Sequence, residues 1–152
     1  MIIAEDDPGR PDVRALLERH LAFSHEVTPE GHVHALDVER LVDPSVTFFS
    51  ARIDDGLVGV GALRELDPTH GEIKSMHTVA ATRRAGVGRA VLEHLVATAR
   101  ARGYERVSLE TGTYDAFAPA RALYTATGFT VCPPFADYTD NPHSVCMTLP
   151  LR

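Results

Sequence analysis

The 152-residue sequence predicts a mixed α/β fold, a sheet with helices packed against it, and three observations lead there. Two apolar runs meet at Asp54-Asp55-Gly56, an Asp-Gly junction that signals an antiparallel hairpin. A stripe formed by Val87, Val91, Leu92, Leu95, Val96 and Ala99 recurs at helical spacing in mid-chain. After that stripe, strand-like and helix-like stretches alternate, as a sheet covered by helices requires.

Met1 to Ala4 is short and apolar enough for a first strand. From Pro11 to Glu26, Val13, Leu16, Leu17, Leu21 and Ala22 fall on one helical face, and Pro11 suits a first turn. Ala35 to Leu41 is expected to form a second, shorter helix. Val46 to Ile53 and Leu57 to Leu66 are the arms of the hairpin, and Glu72 to Val79 follows the Pro68–Gly71 turn as a further strand. The long mid-chain helix ends with Arg100 and Arg102 before Gly103, cations that suit the negative end of its dipole. Val107 and Leu109 mark a strand, Pro119 to Thr127 a helix closed by Gly128, and the chain beyond Phe129 two strands around a Pro-rich turn.

Repeats, linkers and low-complexity tracts are absent, so residues 1–152 are expected to form one domain. No apolar run approaches the roughly 18 residues that cross a bilayer, and acids follow the first apolar residues at once. We therefore expect a cytoplasmic protein with no membrane partner. A formal charge of -6 disfavours nucleic acid, which needs a cationic face. Cys132 and Cys146 are read as free thiols in this setting. His32 and His34 lack further ligands at metal-site spacing, so no metal is expected. Oligomeric state is left open, a homodimer included.

The segment Arg83-Arg84-Ala85-Gly86-Val87-Gly88 joins a strand to the long helix. Glycines let the backbone approach an anion, and the first helical turn leaves N–H groups pointing outward. With Arg83, Arg84 and Arg89 close by, this is a candidate pyrophosphate site. A Walker loop is excluded because no Gly-Lys-Ser/Thr follows, and Gly86-Val87-Gly88 lacks the third glycine of a dinucleotide fingerprint. These six residues alone are also compatible with an ordinary glycine-bearing turn flanked by solvated arginines.

The stretch from Glu72 to Gly88 resembles the acetyl-coenzyme A motif of the GNAT superfamily, Gln/Arg-x-x-Gly-x-Gly/Ala after a strand, with Arg83, Gly86 and Gly88 at the marked positions. Ala120-x-x-Leu123-Tyr124-x-x-x-Gly128-Phe129 is similar to the superfamily's second signature. A closer similarity is to a branch of bacterial acetyltransferases, carried by the runs His34 to Asp37, Gly71 to Met76, Leu109 to Gly112, Phe117 to Tyr124 and Asn141 to Met147. The resemblance implies the GNAT fold, a central, mostly antiparallel sheet with one splayed parallel strand pair flanked by helices. It also implies acetyl-coenzyme A as cosubstrate, held by Met76, His77, Thr78, Arg83, Arg84, Ala85, Gly86, Val87, Gly88, Arg89, Phe117 and Ala120. Phe117 replaces the asparagine that many members carry, so a polar contact would give way to apolar packing.

The implied reaction is direct attack of a small-molecule or peptide amine on the thioester. Deprotonating a primary amine at pH 7 costs roughly 4.6 kcal/mol, so a base or a water chain is needed. Glu72 lies eleven positions before Arg83, the offset of the glutamate base in the histone acetyltransferases of the superfamily. Strict strand alternation would place it on the same side as Lys74, Met76 and Thr78. Read without the resemblance, it is equally a strand-end carboxylate paired with Lys74 or an arginine. Tyr124 matches the tyrosine that protonates the leaving thiolate, and without the resemblance it is a core aromatic of a short helix. A backbone N–H near Met76 to Thr78 would receive the developing negative charge. The branch resemblance adds His34, Asp37, Glu110, Phe135, Tyr138 and Asn141 to the acceptor site, with Glu110 a second base candidate. The rival reading is a coenzyme A binding module without catalysis.

Overall fold

The computed structural model describes residues 1–27, 38, 40–79, 82 and 86–151, the side chains of 20–27 excepted. The elements are β1 (Ile2–Glu5), α1 (Pro11–Val27), a 3-10 turn (Arg40–Val42), β2 (Val46–Ile53), β3 (Gly56–Asp67), β4 (His70–Thr78), α2 (Val87–Ala101), β5 (Arg106–Gly112), a second 3-10 turn (Asp115–Phe117), α3 (Ala118–Thr127), β6 (Thr130–Cys132) and β7 (Ser144–Pro150). The expected helix from Ala35 to Leu41 is replaced at its end by the turn Arg40–Val42, and its earlier residues, apart from Val38, lie outside the described ones. Leu21 and Ala22 also fall among the side chains not described.

Seven strands form one sheet in the order β1-β2-β3-β4-β5-β7-β6. Asp54 and Asp55, both at positive φ, make the β2–β3 turn, which matches the twist of the strands it joins. Every neighbouring pair is antiparallel except β4 and β5. Their parallel ladder holds only His70 with Arg106, Gly71 with Val107 and Glu72 with Ser108, although β4 continues to Thr78 and β5 to Gly112. Beyond Glu72 the two strands part, and the sheet opens as a fork. This is the splayed parallel pair that the resemblance implies.

Two cores lie on opposite faces. Val13, Leu16 and Leu17 of α1 pack with Leu41, Phe48, Val60 and Ala62 on one face. Val87, Val91, Leu92, Leu95 and Val96 of α2, with Tyr124 of α3, pack against Leu63, Ile73, Val107, Leu109 and Met147 on the other. Residue 61 must be small for α2 to seat, since a Cβ on Gly61 would come within 2.8 Å of Val91 Cγ1. At the N-terminus of α1, Arg52 Nη1 donates to Asp12 Oδ2 at 2.7 Å and Arg52 Nη2 to Asp6 Oδ2 at 3.2 Å, tying the helix to β2.

Strand β4 contains a bulge. Ala62 pairs with Lys74 and Val60 with His77, so Ser75 and Met76 together oppose the single residue Gly61. Ser75 takes the left-handed conformation at φ 56, a position that usually falls to glycine. The extra residue reverses which side chains face which way. Before it, Glu72 and Lys74 share the α1 face with Ala62, while Ile73 belongs to the α2 core. After it, Met76 packs into the α2 core, Thr78 approaches Gly59 and Gly88 near Val87, and His77 pairs with Val60 on the α1 face. The expectation that Glu72 and Met76 share a side is therefore corrected.

Candidate active site

The fork is approached from two faces. On the α2 side stands the start of α2, where Gly86 caps the helix at φ 80 and its carbonyl accepts from the N–H of Ala90 at 3.0 Å. The first-turn N–H groups that follow have no intrahelical acceptor and are free to meet an anion. Gly88 is open on this side, because a Cβ there would meet only Leu123 Cδ2 at 3.5 Å and Thr78 Cγ2 at 3.8 Å. Arg89 is exposed and its Nε lies 3.9 Å from Glu93 Oε1. Val87 turns its side chain into the core, so only its backbone faces outward. Arg83, Arg84 and Ala85 lie outside the described residues.

Helix α3 closes this side. Ala120 and Leu123 pack against the α2 core, and the ring of Phe117 lies over Gly112 at the end of β5, where any Cβ would overlap it. Arg121 Nη1 donates to the carbonyls of Gly112 at 2.7 Å and Tyr114 at 3.0 Å, fixing α3 to β5. Tyr124 is buried beside Phe129, with ring centroids 6.0 Å apart. Burial first, and the negative charge of Glu110 second, push its hydroxyl up to about 12. It is a protonated donor throughout the neutral range.

On the α1 face the segment between β6 and β7 folds over β4 and β5. Phe135 packs at a tilt against His70 and edge-on against Tyr138, with centroids 5.6 and 5.1 Å away. Tyr138 Oη donates to Glu72 Oε2 at 2.5 Å and accepts from Lys74 Nζ at 2.6 Å, while Lys74 Nζ also donates to Glu72 Oε2 at 3.2 Å. Glu72 is 1% exposed and the Lys74 side chain 8%. Glu72 Oε1 has no hydrogen bond among the described residues, and Arg64 Nη1 lies 3.9 Å from it. A buried charge needs such pairing, and the Lys74 ammonium with the Tyr138 hydroxyl provides it. Burial, then the charge of Glu72 and its hydrogen bond, raise the Tyr138 hydroxyl far above the ordinary tyrosine range.

Glu110 faces the same side one step along β5, paired across the sheet with Cys146. Burial raises its carboxyl to about 7, with the Lys74 charge opposing and the Glu72 charge adding to the shift. Its position beyond the last β4–β5 pair puts it in the fork. Beneath the aromatic wall His70 Nε2 and Ser108 Oγ share a hydrogen bond of 2.7 Å, and burial, then the charge of Arg106, lower the imidazole so that it stays neutral.

Of the residues expected at the site, Glu72, Glu110, Phe135 and Tyr138 come together on one face, and Met76, Thr78, Gly86, Val87, Gly88, Ala120 and Tyr124 on the other. His77 falls on the α1 face, away from Met76, and Asn141 Nδ2 donates to Ser144 Oγ at 3.1 Å near the start of β7. His34 and Asp37 lie outside the described residues. Sequence reasoning did not select Arg64 or His70. Alternation along β4 sets His70 on the side of Glu72 and could have found it, whereas Arg64 needs the β3–β4 register.

The family model for the GNAT acetyltransferases matches residues 12–129, a span that runs from α1 through the fork to the end of α3. The chain belongs to the GNAT family. It is an acetyltransferase by that membership. It is 49% identical over 148 residues to the uncharacterized N-acetyltransferase YsnE of Bacillus subtilis, covering 97% of this chain and 98% of that one. The GNAT-like fold also matches a Klebsiella pneumoniae structure assigned as an acyl-CoA N-acyltransferase, at a TM-score of 0.79 and 27% identity, over 99% of this chain and 97% of that one. A GNAT acetyltransferase from Elizabethkingia anophelis with acetyl-CoA bound shares the fold at a TM-score of 0.73 and 17% identity, over 98% and 97% of the two chains. Among the described residues no helix is long and apolar enough to cross a membrane.

Proposed function

We propose that the protein transfers an acetyl group from acetyl-coenzyme A to a primary amine by direct attack within a ternary complex. The observation that carries this reading is the fork itself: the β4–β5 ladder ends at Glu72 and Ser108, with Tyr124 reaching it from one face and Glu110 lying on the other. The acetyl-CoA held by the Elizabethkingia protein of the same fold supports the choice of cosubstrate. So does the start of α2, where backbone N–H groups around Gly88 suit a pyrophosphate, with Met76, Thr78, Phe117 and Ala120 offering an apolar wall to the pantetheine arm.

The amine enters from the α1 face. Glu110 takes its proton, because a carboxyl held near 7 divides its time between both states at neutral pH and lies in the fork. Glu72 is less suited to that step, since Lys74 and Tyr138 already engage its carboxylate. Its proposed role is to hold Tyr138 and Lys74 in place. The bulge at Ser75 and Met76 interrupts the β3–β4 ladder and supports a backbone N–H near Met76 as donor to the developing negative charge on the thioester oxygen. Tyr124 then donates its proton to the departing thiolate.

Release of free thiol from acetyl-coenzyme A, measured across a panel of amines, tests the reading. Acceptor-dependent release in the wild type that is lost in Glu110→Gln supports it. Calorimetry that finds tighter binding of a nicotinamide dinucleotide than of coenzyme A overturns it.

A further inference from the structure

Cys132 and Cys146 are opposed residues in the β6–β7 ladder. Such a pair on antiparallel strands has Cα atoms about 4.5 to 5.5 Å apart and side chains on one face. That separation lies within the roughly 4.4 to 6.8 Å that a disulfide spans. Both are free thiols here, Cys146 buried and Cys132 partly exposed. Between them run residues 133–145, the segment whose Phe135 covers His70 and whose Tyr138 grips Glu72. The two thiols thus stand at the base of the wall over the acid face.

We propose that Cys132 and Cys146 form a redox modification site, closed to an intramolecular disulfide by exchange with a small-molecule disulfide of the glutathione class. The thiolate of Cys132, the more accessible of the two, attacks one sulfur of that disulfide and expels a small thiolate, leaving a mixed disulfide. The Cys146 thiolate then attacks the Cys132 sulfur and expels the second small thiolate. Two electrons pass to the small disulfide, and the two protons lost by the cysteines end on the two small thiols.

Exchange needs the thiolate, so its speed follows the charges around each sulfur. Burial raises Cys132, which the charge of Arg106 on β5 partly offsets. Burial raises Cys146 to about 11, a shift opposed by the Phe135 backbone N–H and reinforced by Cys132, Glu110 and Glu72. Exchange is therefore slow at neutral pH and quickens as the medium becomes alkaline. Once formed, the bridge adds a covalent tie at the base of the 133–145 segment, whose ends are otherwise joined only by the β6–β7 ladder and whose tip is held to Glu72 by Tyr138.

The test is incubation of the purified protein with excess glutathione disulfide at about pH 8.5, near the pKa of an unperturbed thiol. Intact mass, peptide mapping and hydrogen exchange are then read without reductant. The expected product is a monomer lighter by two hydrogens, with the peptides of Cys132 and Cys146 linked. Amide exchange across 133–145 should slow by about tenfold and recover with dithiothreitol. Cys132→Ser, which leaves one thiol, should show neither change. A protein carrying two glutathione adducts, a disulfide-linked dimer, or an unchanged mass overturns the proposal.

Discussion

Tyr138 Oη donates a hydrogen bond to Glu72 Oε2 at 2.5 Å, a bond between residues 66 positions apart that fastens the β6–β7 segment to β4. Removing that hydroxyl leaves a buried carboxylate with Lys74 as its one remaining hydrogen-bond donor among the described residues and deprives Lys74 of an acceptor. Tyr138→Phe should lower stability by about 1 to 3 kcal/mol, measured by urea unfolding. An unchanged midpoint would mean that solvent replaces the hydroxyl and that the wall is loose in solution.

The roles of Glu110 and Glu72 are separable by substitution and a pH profile. Dividing the wild-type kcat/KM profile by that of Glu110→Gln cancels the titration of the amine itself, and the ratio should rise through about pH 7. At its plateau the loss should be about 10² to 10³-fold, with coenzyme A affinity nearly unchanged. Glu72→Gln should keep the Glu110 step but move it to lower pH, because the Glu72 charge that helps raise that carboxyl is gone, and should act mainly through KM for the amine. A Glu72→Gln profile that loses the step altogether would return the base role to Glu72.

Stability offers a second view of Glu110. The folded chain keeps this proton up to about pH 7, whereas an unperturbed glutamate releases it near 4.5. Between those values the native state binds more protons than the unfolded state, so stability falls as the pH rises. Thermal midpoints of the wild type should therefore drop, relative to Glu110→Gln, from pH 5 to about pH 7.5. Parallel curves would show that Glu110 is solvated when folded.

Tyr124→Phe should keep the fold, because the ring and its packing on Phe129 remain, and should lower turnover by roughly 10²-fold. Since the hydroxyl is held at about 12, the wild-type profile should have no basic limb from this residue below about pH 11. Equal turnover with a good acceptor would leave Tyr124 as a packing residue.

Ser75 pays twice for its place in the bulge: its φ is 56 and its Oγ is buried with no partner among the described residues. Ser75→Gly removes both costs and should stabilise the protein by about 0.5 to 2 kcal/mol, read from the urea midpoint. A loss of stability would show that the hydroxyl is satisfied by water.

The sequence showed some of this and hid the rest for physical reasons. The hairpin was legible because Asp54 and Asp55 tolerate positive φ before a glycine, and α2 because its six buried positions keep one period over 15 residues. Glu72 and Tyr124 were singled out by resemblance to the family, and their roles stand as proposals. The bulge was not, since nothing in Lys74-Ser75-Met76 announces a serine at φ 56, and so the face of Met76 was misread. Tyr138 was named by resemblance alone, because its contact with Glu72 depends on the path of an irregular segment and no local periodicity encodes that. Arg64 was missed for a similar reason, as its approach to Glu72 is set by cross-strand register.

The bulge in β4 also governs how related sequences should be compared. One inserted residue works as a phase change, so the even-numbered positions serve the acid pocket up to Lys74 and the α2 side from Met76. An alignment that opens a single-residue gap between 74 and 76 would exchange the two surfaces for every position up to Thr78 and transfer roles to the wrong side chains. In an acetyltransferase of this shape, the residue count of the strand carries as much chemical meaning as the letters in it.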